Sequence, residues 1–89
     1  MNADVAAGIE EYIRDEFMAP QGRAGETWTR ETSLFRSGIL DSFGLLELVT
    51  FLEKRYGIKI HDEDMVPENF DSVVSLTRFV AERTRAQET

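Results

Sequence analysis

Apolar residues recur at four-residue spacing at the start of the chain: Val5, Ile9, Ile13 and Phe17, with Tyr12 beside them. Asp4, Glu10, Glu11, Arg14, Asp15 and Glu16 occupy the positions between, so the spacing predicts a helix over about 4–18 with one wet face. Asp4 or Asn2 is placed to cap its start, and Pro20 and Gly22 end it. A second stripe follows "DSFG": Leu45, Leu48, Val49, Leu52 and Tyr56 fall on one helical face. Lys54 and Arg55 suit the negative end of that helix, and Gly57 stands just past it. In "DSVVSLTRFVAERTR" the buried side is Val73, Leu76 and Val80 with Phe79, and Asp71 or Ser72 caps the start. Its polar tail, "AERTRAQET", is expected to fray.

The connections carry information too. Residues 19–41 form a long link for a compact domain, but Trp28, Leu34, Phe35, Ile39 and Leu40 are spaced along it as anchors. In "IKIHDEDMVPENF" a single helical turn fits near Asp62–Val66, stopped by Pro67, with Phe70 as a plug for the core. "GIKIH" alternates briefly and has no partner strand. The expected fold is all-α: one small bundle of three principal helices plus one short helix, with a long loop between the first two. The whole of residues 1–89 is read as one domain, ordered over about 4–84.

Composition narrows the function. Eighty-nine residues allow one modest core and little room for a deep cleft. A net charge of −7 argues against nucleic acid, which needs clustered cations, and suits partners with basic patches. With no cysteine, disulfides and thiolate metal sites are excluded. The acidic N-terminus does not read as a leader, and no apolar run reaches the roughly 18 residues of a membrane span. A soluble, cytoplasmic protein is expected.

Catalytic readings find little support. A nucleophilic Ser42 needs a base in reach, usually a histidine held by a carboxylate; the chain has one histidine, His61, and Ser42 lacks the G-x-S-x-G elbow. "HDEDMVPEN" lacks the alternating oxygen ligands and central glycine of a calcium loop and reads as a solvated acidic turn, with His61 an exposed loop side chain. "GRAG" is loop punctuation rather than a phosphate loop.

Ser42 stands at the start of the second helix, where a cap is the simplest role. Asp41 can cap equally well, which leaves the Ser42 hydroxyl free at the first helical position. Phe43 and Leu46 fall off the main stripe. Turned outward they make an apolar docking spot beside the hydroxyl; turned inward, Phe43 folds onto the 19–41 loop. Gly44 inside a helix costs about 0.8–1 kcal/mol relative to Ala, and is read as room for a partner or a bound arm to approach.

The stretch "LFRSGILDSFGLLELVTFLEKRYGIKI" resembles the core of acyl carrier and peptidyl carrier proteins of the free-standing type. Their signature is a glycine shortly before an Asp-Ser pair followed by Leu or Phe, opening the second helix; here these are Gly38, Asp41, Ser42 and Phe43. The likeness continues through "DEDMVPENFDSVVSLTRFV" and the acidic first helix. It implies that Ser42 is the attachment point of a 4′-phosphopantetheine arm, transferred from coenzyme A by a phosphopantetheinyl transferase that Asp41 helps engage. The arm's thiol then bears acyl or aminoacyl groups as thioesters, and the chain is a carrier, not an enzyme. Leu46, Glu47 and Thr50 occupy positions the family uses to meet partners, joined by Met65: loading enzymes (an adenylating ligase or an acyltransferase) and downstream synthases. A monomer is expected. "GILDSFG", with only Glu47 and Glu53 as acids on the second helix, is closer to carriers of polyketide, nonribosomal peptide or aminoacyl pathways than to fatty-acid carriers. The alternatives are a fatty-acid carrier or an unmodified helical interaction module.

Overall fold

The computed structural model describes residues 2–88, and the side chains of residues 4–86. Its four α-helices are α1 (Asn2–Ile13), α2 (Ser42–Tyr56), α3 (Pro67–Phe70) and α4 (Val73–Glu88), with no strand among the described residues. The all-α bundle with one short helix and a long first loop is the architecture expected from the patterning.

α1 does not stop where the α-helical pattern does. It runs on into a π-helical turn, Arg14–Met18, and a 3₁₀ turn, Ala19–Gln21, ending at Gly22 with φ 73°. The wider π turn lets the adjacent residues Phe17 and Met18 both face the core, where Met18 is fully buried. Asp4 falls inside the first turn rather than capping it, and the Asn2 side chain lies outside the described residues.

α1 packs against α4, and α3 against α4, around Ile9, Ile13, Phe70, Val73, Leu76 and Val80. Leu48 and Leu52 bring α2 into the same core. Tyr12 of α1 stacks flat on Phe51 of α2, centroids 3.8 Å apart and planes 8° from parallel, and meets Phe17 edge-on at 5.5 Å. α2 ends at Gly57, φ 66°, as the sequence anticipated.

Two expectations change. Pro67 does not stop a helical turn; it starts α3, because a missing N–H is harmless at the first helical position. The preceding turn is 3₁₀ and shorter, Asp62–Asp64. Of the two candidate caps of α4, Ser72 takes the role, its Oγ accepting the Ser75 amide at 3.1 Å. The Asp71 carboxylate instead accepts the Ser33 hydroxyl at 2.9 Å and the Phe35 amide at 3.2 Å, while its carbonyl accepts the Leu34 amide at 2.7 Å. α4 is helical to Glu88.

The Asp71 clamp explains how a loop over 19–41 stays in place. Leu34, Ile39 and Leu40 are buried, and Trp28 and Phe35 pack against the core, as their spacing suggested. The Val74 amide donates to the Arg30 carbonyl at 3.0 Å, tying the loop to α4 a second time.

Candidate functional site

The loop delivers the chain to α2 through a short braced approach. Arg23 Nη2 donates to the Ser37 carbonyl at 2.9 Å, and Gln21 Nε2 to the Ile39 carbonyl at 3.3 Å. Leu40 then anchors in the core, and Asp41 takes an extended conformation, φ −124°. Its Oδ1 accepts the Gly44 amide at 2.8 Å, which makes Asp41 the cap of α2. Ser42 is therefore the first helical residue. It is exposed, and its hydroxyl makes no hydrogen bond among the described residues.

Phe43 and Leu46 settle the question their pattern raised. They are 80% and 58% exposed, so Phe43 does not fold onto the loop. Three residues apart, they are neighbours on the helix surface, one turn from Ser42. Glu47 and Thr50 are exposed on the same helix, Thr50 Oγ1 donating back to the Leu46 carbonyl at 3.2 Å. Met65 is different: it is half-buried against the core just after the Asp62–Asp64 turn, and the exposed apolar residue there is Val66.

Gly44 has another role than the one its propensity suggested. It is buried, and a Cβ there would lie 2.9 Å from Leu40 Cδ1 and 3.0 Å from Phe17 Cε1. The close approach it permits is that of this chain's own core, not of a partner or an arm. Beside it a groove of about 300 Å³ opens between the π turn, residues 38–41 and the first turn of α2.

His61 is exposed; its backbone amide donates to Asp64 Oδ2 at 2.9 Å, and Asp64 pairs with Arg83 at 2.7 Å. Among the described residues no three His, Cys, Asp or Glu side chains come together as metal ligands. The bracing by Gln21 and Arg23 had no signal in the pattern, because both act through backbone carbonyls distant in sequence.

Compared with known families, the chain matches the one described as the phosphopantetheine attachment site, over residues 9–80. The chain belongs to that family. A comparison with curated proteins returned no match. The phosphopantetheine attachment family holds 4′-phosphopantetheine covalently, and its members are in general carriers that meet modifying and loading enzymes rather than catalysts.

The first turn of α2 fits such a group: an exposed hydroxyl without a partner, at a helix N-terminus whose amides and dipole favour a phosphate. No helix among the described residues is long and apolar enough to cross a membrane.

Proposed function

We propose that Ser42 is the residue that receives the 4′-phosphopantetheine, and that the chain bears acyl or aminoacyl groups for polyketide, nonribosomal peptide or aminoacyl transfer in the cytoplasm. The observation that carries this reading is the division of work at the start of α2: Asp41 caps the helix, and the Ser42 hydroxyl is left exposed. In the transfer, a phosphopantetheinyl transferase binds coenzyme A; the Ser42 hydroxyl gives up its proton, forms a phosphodiester, and the adenosine bisphosphate leaves. When bound, the group supplies a terminal thiol that holds cargo as a thioester.

The chain's own residues position and present. The free amides of the first turn of α2 face the phosphate, and Asp41 stands beside it for the transferase to engage. Phe43 and Leu46, with Glu47 and Thr50, form the face that partner enzymes meet, and Val66 and Met65 extend the candidate surface. A small apolar spot among acids favours docking that is specific in charge and quick to release. The tether raises the local concentration of cargo to about the millimolar range at whichever enzyme is docked. The low count of acids on α2 and the Phe43–Gly44 pair favour secondary-metabolite or aminoacyl partners over fatty-acid enzymes. The carrier acts as a monomer.

Intact mass tests the assignment. Wild-type protein incubated with coenzyme A, magnesium and a broad-specificity transferase is expected to gain one phosphopantetheinyl group; Ser42→Ala keeps its helical circular dichroism and gains nothing. A Ser42→Ala protein modified at full yield, or a wild type that gains no mass, overturns it.

A further inference from the structure

The groove beside Ser42 has a chemical character that the carrier reading leaves unused. Its floor is apolar, formed by Phe17, Ile39 and the bare backbone of Gly44, and Phe43 stands at its rim. Its charged lining residues, Glu16, Asp41 and Glu47, are all acidic. Asp41 is committed to the Gly44 amide, whereas Glu16 and Glu47 are exposed and make no ion pair among the described residues. They come from different elements, the π turn and α2, and both line the groove. Arg23 does not line the groove but stands at its edge, its Nη1 donating to Gln21 Oε1 at 3.4 Å and lying beside Gly38, while its Nε pairs with Glu26 at 2.9 Å and its Nη2 donates to the Ser37 carbonyl.

Ser42 lies between two residues that line this groove, Asp41 and Phe43. We infer that the groove is a cradle for cargo on the Ser42 arm, and that it selects cargo bearing an ammonium group, the aminoacyl class, over neutral or carboxylate-bearing acyl groups. The inference rests on Ser42 being the attachment residue. Its physical basis is charge complementarity over a short apolar floor. A positive group facing two carboxylates at a partly covered surface gains Coulomb energy, and a second negative group there is repelled.

The test uses full-length protein modified to completion, as checked by intact mass, with coenzyme A derivatives carrying stable amide-linked alanyl, N-acetylalanyl or succinyl groups. Backbone amide shifts of Ile39, Gly44 and Glu47 are compared with those of the arm without cargo. Alanyl cargo is expected to move them at least twofold more than N-acetylalanyl, and succinyl least. The preference is expected to disappear in the Glu16→Gln/Glu47→Gln protein, and in wild type at about 0.5 M salt, where the screening length falls to a few ångströms. Equal shifts for alanyl and N-acetylalanyl in wild type overturn the cradle, and so does an alanyl preference that survives both glutamine substitutions. Failure of the attachment reading is distinct: it appears in the mass measurement, before any cargo is compared, as absence of modification or modification at another residue.

Discussion

Asp71 holds Ser33, thirty-eight positions earlier in the chain, through its carboxylate at 2.9 Å. The same carboxylate takes the Phe35 amide, so one side chain at the α3–α4 junction fixes the middle of the first loop. Hydrogen bonds to a charged acceptor contribute about 1.5–3 kcal/mol each when their loss leaves a part-buried donor unpaired. Asp71→Ala is therefore expected to lose about 2–3 kcal/mol in urea unfolding, and Asp71→Asn clearly less.

Gly44 sets a second expectation. Alanine there gains up to about 1 kcal/mol of helix propensity. Against that stands overpacking of a buried contact, about 1–3 kcal/mol, with Leu40 and Phe17 pressed at 2.9 and 3.0 Å. The net expectation for Gly44→Ala is a loss of about 1 kcal/mol, or roughly 4–8 °C in Tm. A rise in Tm would mean that Leu40 and Phe17 yield freely.

Adjacent residues at the start of α2 should behave as opposites. Asp41→Ala removes the cap and is expected to cost about 1 kcal/mol, with Asp41→Asn nearly neutral. Ser42→Ala should stay within about 0.5 kcal/mol of wild type by the same denaturation measurement.

Phe43→Ser and Leu46→Ser remove exposed side chains, so thermal stability should hold within about 0.5 kcal/mol. If these residues anchor partner enzymes, each substitution raises the KM of the transferase or a loading enzyme about tenfold, a loss of about 1.4 kcal/mol of docking. An unchanged KM for every partner would remove them from the docking face.

Asp64 predicts an acid limb of stability. The His61 backbone amide, and then Arg83, hold its carboxyl below the ordinary 3.8. A carboxyl depressed in the folded state contributes stability above its unfolded value, and that contribution is lost as pH falls through the folded value. Asp64→Asn should therefore flatten the decline of urea midpoint below about pH 4, while leaving its slope near neutrality unchanged.

Much of this architecture is legible in the sequence because it rests on local repetition. Ile9, Ile13 and Phe17, Leu48 and Leu52, and Val73, Leu76 and Val80 are buried as their spacing demands, while Val5, Leu45, Val49 and Tyr56 on the same stripes are half-buried against the core. Asp41 as cap and Ser42 as first helical residue follow from side-chain chemistry within four positions. What escaped is non-local or turns on backbone detail. The π turn at Arg14–Met18 leaves the apolar spacing almost unchanged, so periodicity does not reveal it. Pro67 stops or starts a helix depending on whether its missing N–H was needed, and the residues beyond it decide that. Asp71 was one of two candidate caps by position and is instead a clamp, because Ser33 and Phe35 offer donors from far along the chain. The site was half legible: the free hydroxyl could be argued, but the outward turn of Phe43 and the inward need for Gly44 depended on Leu40 and Phe17 arriving beneath the helix.

The capping arrangement at α2 has a consequence for the life cycle of such a chain. Since the hydrogen bond that secures the helix belongs to Asp41, the neighbouring oxygen can be esterified, loaded and unloaded without any change in the scaffold's own bonding. A phosphodiester there adds negative charge at the positive end of a helix, which the dipole favours. With Ser42 as the attachment residue proposed above, bare, armed and laden forms are expected to share one folded structure, so that a docking enzyme would tell them apart by what the arm carries rather than by how the bundle is built.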